Sequence, residues 1–528
     1  MTPLLVGLDV GTTNVKAVVY EPDGRAVARA TAPTITHYPR PGWAFYRAEE
    51  LWDQVAGVLG TALAGVDDTR RIAAVAVASM AEAGVPIDAA GRPTADVIAW
   101  FDTRPQPQAA RLDAVVGADA LFARTGLSLQ PIFGLCKMLW LQEHEPDAWR
   151  RTVRWLNVSD YVAFRLSGEA ATGASLASRT LALDLRRRRW DDGILAAAGI
   201  DPSLLAPLVA EGTALGPVTP EAAAATGLPT TARVAVGGHD HVCGALAAGV
   251  TEPGTLLESL GTTGTLLVPI AAPLADPALG RQGFSQGAHV IPDRAYLFGG
   301  QFTLGAAIEW FREAIAPGEP YAALIAAAEG IAAGSDGVCF LPHLRLAGPP
   351  HVDPRSRGAY VGLSTDATSA TLFRALLEGL GFEARGILEP LLAFAGLEAL
   401  DDVRAIGGVT HNRLLMRVRA TIRDRATDVL DVDEATALGA ALLGGLGAGV
   451  YPDVPTAIAA LQYGRIRIEP VAAEVPVYDR IYREIYSLLY PSLAPIGHAI
   501  ADQQAAIGRF SSYAAPARSG EGRTRPVP

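Results

Sequence analysis

The feature that most constrains this chain is one short pattern written twice. Leu8-Asp9-Val10-Gly11-Thr12-Thr13-Asn14 leads from the apolar run Leu4–Asp9 into a second run, Val15–Tyr20. About 250 residues later, Glu258-Ser259-Leu260-Gly261-Thr262-Thr263-Gly264 does the same within Leu256–Val268. Each copy reads as a strand, a Gly-Thr-Thr turn and a return strand. One hairpin fits many folds. Two copies, each opening a comparable stretch, predict duplicated α/β domains facing each other. A length of 528 residues agrees, because it exceeds what one ordinary core organises. The expected division is 1–248 and 249–500, with 511–528, rich in Ser, Gly, Pro and Arg, as a disordered tail.

Further strands are expected at Arg71–Ser79, Ala95–Ala99, Ala232–Val236 and Asp402–Ile406. Helices are expected at Glu49–Leu63, Gln106–Val116, about Asn412–Arg425 and the small-residue stretch Glu434–Gly445. A net charge of −11 gives no general attraction to nucleic acid or an anionic membrane. It leaves room for an anionic ligand held by backbone amides. No apolar stretch reaches 18 residues and the start lacks a signal-peptide pattern, so the expected address is the cytoplasm. Cys136, Cys243 and Cys339 have no metal-type spacing and are expected as free thiols.

The turn at Gly11, Thr12 and Thr13 is a phosphate candidate, since glycine admits close approach and amides and hydroxyls donate. Asp9, at the strand end, suits a water-mediated Mg2+ contact. The competing reading is a plain hairpin with a capping Asp. Gly261, Thr262 and Thr263 repeat the device, and an opposed pair can grip the β- and γ-phosphates from two sides. Asp240, in Gly238-His239-Asp240-His241, would orient an acceptor hydroxyl and take its proton. A helix cap is its alternative role. His241, more than His239, is a candidate hydrogen-bond partner for the substrate, with a structural histidine as the alternative. No zinc site is expected, because no third ligand lies nearby in sequence. Glu82 and Asp102 fit as acceptors for a polyol's hydroxyls, and Trp100 or Phe133 as its apolar wall. Solvated loop carboxylates and core aromatics are the alternatives.

In order along Leu4–Tyr490, these segments resemble the FGGY family of carbohydrate kinases, which includes xylulokinase, glycerol kinase and gluconokinase. GLDVGTTNVKAVV resembles the first phosphate segment, GGHDHVCGALAAG the catalytic-base segment and ESLGTTGTLL the second phosphate segment. DYVAFRLSGEAATGASLASRTLALD, FLPHLRLAGPPHVDPRSRGAYVGL, AIGGVTHNRLLMRVRATI and EATALGAAL resemble further family blocks. The resemblance implies an actin-like ATPase fold of two RNase-H-like domains, with ATP and sugar meeting between them. It implies Asp240 as base, Asp9 as the Mg2+ partner, the four threonines at the phosphates, and Gly407, Gly408 and Asn412 at the adenosine. Closure of the lobes would exclude water.

Two departures concern the acceptor. Xylulokinases carry Gln-Met-His and glycerol kinases Gln-Arg-Glu where this chain has Met80-Ala81-Glu82. Xylulokinases also carry Gly-Gly-Gly-Asp-Asn where this chain has Gly-Gly-His-Asp-His. A pentulose such as xylulose is the first expectation for the acceptor, and a glycerol, erythritol or pentitol type of polyol the second. A non-catalytic actin-like ATP-binding regulator is a third reading of the same scaffold. The only partner expected is the small sugar or polyol, with a homodimer left open.

Overall fold

A computed structural model describes residues 2–506; the tail expected at 511–528 lies outside them. The first sheet takes six strands: Leu4–Val10 (β1), Asn14–Tyr20 (β2), Ala26–Pro33 (β3), Ile72–Ser79 (β4), Ala214–Pro217 (β5) and Arg233–His239 (β6). Their spatial order is β5-β6-β4-β1-β2-β3. The second takes seven: Thr255–Leu260 (β7), Gly264–Ile270 (β8), Ser285–Ala288 (β9), Ala295–Gln301 (β10), Asp402–Ile406 (β11), Thr427–Leu430 (β12) and Arg465–Ile468 (β13). Their order is β9-β10-β8-β7-β11-β12-β13.

The two sheets repeat one plan. In the first, β1, β2 and β3 run antiparallel in succession while β4 and then β6 join β1 in parallel. In the second, β7, β8 and β10 form the antiparallel run while β11 and then β12 join β7 in parallel. The duplicated hairpin therefore marks a duplicated sheet, as the repeated Gly-Thr-Thr pattern predicts. This is the actin-like arrangement of two similar α/β lobes.

The helices that matter for the site are Ala48–Leu63 (α1), Gly134–His144 (α2), Val158–Ser167 (α3), Asp240–Ala247 (α4), Ser369–Ala395 (α5), Arg413–Arg423 (α6) and Ala435–Gly447 (α7). β1 is covered on both faces, which explains its nearly unbroken apolar run. Val6, Leu8 and Val10 share a core with Leu51, Val55 and Leu59 of α1 and Tyr161 of α3. Leu5, on the opposite face, joins Leu438, Ala441 and Leu442 of α7. So α7, from the second half of the chain, closes the first sheet.

That contact is made backbone to backbone. A Cβ at Gly7 would overlap the Ala437 carbonyl, and one at Gly439 would overlap the Cys243 carbonyl of α4. The small residues of α7 are thus a packing requirement: they let one helix lie against both the first sheet and α4. Tyr20 Oη donates to the Glu434 carbonyl (3.2 Å) and Tyr451 Oη to the Pro22 carbonyl (2.6 Å), adding polar ties between the halves.

Candidate active site

Register decides which side chains meet. In the first sheet Asp9 pairs with Ala78 and Val10 with Ser79, while Gly238 pairs with Ala78 and His239 with Ser79. The parallel strands β1, β4 and β6 therefore end side by side, and Asp9, the Met80–Glu82 turn and Asp240 leave the sheet at one edge. In the second sheet Ser259 pairs with Ile406, so Gly261-Thr262-Thr263 and Gly407-Gly408 emerge together from β7 and β11. Carboxyl ends of parallel strands are where open α/β sheets present ligands. Helix α4 links the two edges: Asp240 opens it, and a Cβ at Gly244 would lie 3.6 Å from the Ile406 side chain.

Asp240 occupies the first helical position, after His239, rather than the cap itself. Its Oδ1 accepts the His241 backbone N–H at 2.6 Å and lies 3.1 Å from His239 Nε2. Among the described residues, Oδ2 has no protein partner, so one oxygen is anchored and one is available. Burial alone would push this carboxyl up, but the His241 charge and the His239 hydrogen bond hold it well below the usual carboxylate range. Asp9 behaves oppositely. Burial and then the charge of Asp240 push it up to about 7, with Lys16 opposing. Lys16 is itself engaged, with Nζ 2.6 Å from Glu434.

Both turns reach the protein surface. In the first, Gly11 N–H donates to the Asn14 carbonyl at 3.0 Å, and Thr13 is exposed. Thr12 Oγ1 accepts from the Trp100 indole at 2.8 Å, which ties the phosphate candidate to the expected sugar wall. In the second, Gly261, Thr262 and Thr263 are all exposed. Leu304 and Ala306 N–H donate to Thr262 O (3.2 and 3.1 Å) and Gly305 N–H to Gly261 O (3.1 Å), seating the turn on the following helix. Gly407, with φ of +101°, is required by space as well: a Cβ there would come 2.5 Å from the Leu260 carbonyl.

Glu82 sits at φ +62°, unusual for a non-glycine residue, and two buried cations hold it there. Arg179 Nε donates to Glu82 Oε1 at 2.7 Å, and Lys137 Nζ donates to the Glu82 carbonyl at 2.7 Å. Lys137 is fully buried, and burial pulls its ammonium down to about 7 despite nearby Glu82 and Asp102. His241 is partly exposed; its ring packs edge-on against Phe298 of β10, with centroids 5.2 Å apart.

Three expected site residues are engaged elsewhere. Asp102 is fully buried, and both its oxygens are used: Arg104 Nη2 and the Ala44 N–H donate to Oδ2, and the Arg104 N–H donates to Oδ1. It fixes the Trp100 loop instead of facing a hydroxyl. Phe133 is 2 % exposed, with the Arg179 guanidinium 5.4 Å from its ring centroid, so it supports Arg179 from within the core. Asn412 caps α6 through the Leu415 N–H (3.0 Å) and donates to Tyr321 Oη (2.9 Å), leaving its side chain 2 % exposed. Conversely, sequence reasoning passed over Lys137, Arg179 and Tyr296. A lone lysine in the apolar run Gly134–Leu141 was the available signal for the first; the other two carry no local mark.

The N-terminal domain of the FGGY family of carbohydrate kinases matches residues 4–247, and its C-terminal domain matches residues 256–448. The chain belongs to the FGGY family of carbohydrate kinases. It is 28 % identical to the xylulose kinase of Bacillus subtilis, covering 94 % of this chain and 98 % of that one. To the glycerol kinase of Rhodospirillum rubrum it is 31 % identical, covering 85 % and 91 %. The crystal structure of the xylulose kinase from Rhodospirillum rubrum superposes with a TM-score of 0.84 at 31 % identity, over 94 % of this chain and all of the other. As a carbohydrate kinase, the protein is a phosphotransferase. Among the described residues, no helix is long and apolar enough to cross a membrane.

Proposed function

We propose that this protein transfers the γ-phosphoryl group of ATP to a hydroxyl of a small sugar or polyol, a pentulose such as xylulose first among them. The observation that carries the reading is the anchored Asp240 carboxylate, with one oxygen held and the other open, at the strand edge shared with Asp9 and Glu82. Oδ2 accepts the acceptor hydroxyl's proton as its oxygen bonds to the γ-phosphorus and the β–γ bridge breaks, releasing ADP. The same contact also orients the hydroxyl: it aims a lone pair in line with the leaving group.

Thr12, Thr13, Thr262 and Thr263 donate to the phosphates, and Gly408, open on its Cβ side, leaves space for the nucleoside beside Gly407. Asn412 supports that surface by capping the adjoining helix. Two facing carboxyls, one of them pushed up to about 7, make an oxygen-rich site short of positive charge, which fits a hard divalent cation. Asp9 would hold Mg2+, which neutralises the phosphate oxygens when bound. Glu82, oriented by Arg179 and Lys137, accepts from acceptor hydroxyls, and Trp100 and His241 serve as further substrate contacts. A cytoplasmic location belongs to the same reading.

A polyol acceptor is the second reading, favoured by Glu82 itself, which matches the glycerol kinase pattern at that turn. Coupled ADP release with xylulose, ribulose, glycerol, erythritol, arabinitol, fuculose and gluconate separates the two. The highest kcat/KM is expected with a ketopentose; preference for glycerol or a tetritol would install the second reading. ATP turnover indifferent to every acceptor would reject both.

A further inference from the structure

His239 stands where the resembling xylulokinases have glycine, and the structure surrounds it with polar partners. It is 5 % exposed. Its backbone N–H donates to Ser175 Oγ at 3.2 Å, fixing the end of β6. Its Nε2 lies 3.1 Å from Asp240 Oδ1, and its Nδ1 lies 3.4 Å from the Tyr296 hydroxyl. Tyr296 is fully buried on β10 of the second lobe. Gly287 opposite makes room for it, since a Cβ there would come 2.5 Å from the phenol oxygen. Arg179, whose Nε holds Glu82, lies in the same buried surroundings.

We propose that His239 and Tyr296 are positioning residues that orient the Asp240 carboxylate, Tyr296 acting through His239 from the opposite lobe. The proposal rests on the kinase reading above. Two contacts define the imidazole. Nε2 must carry the hydrogen, because a bare ring lone pair 3.1 Å from a carboxylate oxygen would be repelled, which leaves Nδ1 as the acceptor for the tyrosine O–H. One tautomer satisfies both neighbours. With the His241 N–H bonded to Oδ1 and the imidazole 3.1 Å from the same oxygen, Oδ2 is the oxygen left for the hydroxyl.

The contacts therefore run Asp240–His239–Tyr296, from the group that takes the proton to β10. The link passes through the second lobe, so the base is fully oriented only when β10 sits against the first lobe. A glycine at position 239 supplies no such donor, so the device belongs to this chain's departure from the resembling pattern.

Two measurements test it. Long-range 1H–15N spectra of histidine-labelled protein, which need no substrate, should show His239 protonated on Nε2, with its Nδ1 signal moving in Tyr296→Phe. An Nδ1-protonated ring, or a signal indifferent to Tyr296→Phe, would overturn the proposal.

Coupled ADP release with the best acceptor of the panel should show kcat down about tenfold in His239→Ala, as expected for a lost polar contact to a charged group. The KM for ATP should hold, and His239→Gln, whose amide can donate at a similar reach, should recover part of the rate. Tyr296→Phe should cost less, and nothing further when added to His239→Ala, because it acts through the ring. Additive losses, or wild-type kcat in His239→Ala, would defeat it. Asp240→Asn run in parallel separates the cases: if it too keeps its rate, the kinase reading fails; if it alone falls, only the positioning role fails.

Discussion

Glu258→Gln should destabilise the second lobe by about 3 kcal/mol, because it uncouples the most deeply buried ion pair at the root of the second threonine turn. Glu258 lies on β7, three residues before Gly261, and is 0 % exposed. Its Oε1 accepts from Arg419 Nη2 at 2.7 Å and Arg423 Nη1 at 2.9 Å, both from α6. Burial alone would raise this carboxyl; the two guanidiniums lower it from 4.5 to about 2. That displacement corresponds to about 3 kcal/mol of preference for the charged form, at about 1.4 kcal/mol per pH unit. It matches the ~3–5 kcal/mol expected when one partner of a buried pair is removed and the other charge stays buried. Burial also pulls Arg423 down, and Glu258 only partly offsets this, so Arg423 depends on the carboxylate in turn. In a lobe of this size, about 2–4 °C per kcal/mol gives a fall in Tm of roughly 6–12 °C. The sign with pH follows from the lowered folded-state value. The stabilisation is complete above 4.5 and is lost as pH falls toward 2, so wild type and variant should converge in acid. Differential scanning calorimetry at pH 7.5 and pH 3 measures both. A Tm within 1 °C of wild type at pH 7.5 would refute the reasoning, since two buried arginines would then need no counter-charge.

Other expectations follow from the same geometry. Glu383, which accepts from Gln301 Nε2 at 2.7 Å, is pushed up to about 8 by burial. Its contribution is therefore fully present below 4.5 and is lost as pH rises to 8, at up to about 1.4 kcal/mol per pH unit. Glu383→Gln should remove that slope, and Tm curves of the two proteins that stay parallel from pH 5 to 8.5 would disprove it. Lys137→Met keeps the buried volume but leaves the Glu82 carbonyl without its donor, so stability should fall by about 1–3 kcal/mol. It frees the Glu82 carbonyl, so the acceptor KM should rise about tenfold while the ATP KM holds; an unchanged acceptor KM would remove Lys137 from the site's support. Gly7→Ala pushes a methyl into the Ala437 backbone and should cost about 3 kcal/mol or more, the upper end for overpacking, because backbone cannot rotate away. Urea unfolding with a midpoint equal to wild type would contradict the close packing of α7 on β1.

Much of this was legible in the sequence, for physical reasons that differ by element. The strand expected at Arg71–Ser79 is found at Ile72–Ser79, and that at Asp402–Ile406 at the same residues, because short β-rich apolar runs bounded by turn residues leave little choice. The strand expected to end at Val236 runs on to His239, because the ladder slips by a bulge between Ala235 and Gly238 and then resumes. Ala95–Ala99 shrinks to Val97–Ile98, paired only with Phe45–Tyr46. All three cysteines are free and buried. Long-range placement was not legible. Glu434–Gly445 reads as a small-residue helix, and Ala435–Gly447 is one, but nothing local says that it covers the first sheet. Asp102 reads like a ligand because carboxylates in loops are usually free; here Arg104, two residues on, claims it. Arg179, Lys137 and Tyr296 converge on Glu82 and His239 from positions far apart along the chain, a juxtaposition only the fold creates.

The most direct measurement is acceptor-dependent ADP release by Asp240→Asn at saturating MgATP, beside its thermal midpoint. An isosteric amide cannot take the hydroxyl's proton, so the rate should fall at least about a hundredfold while the protein stays folded. A folded variant that phosphorylates its acceptor within a few-fold of wild type would contradict the account at its centre.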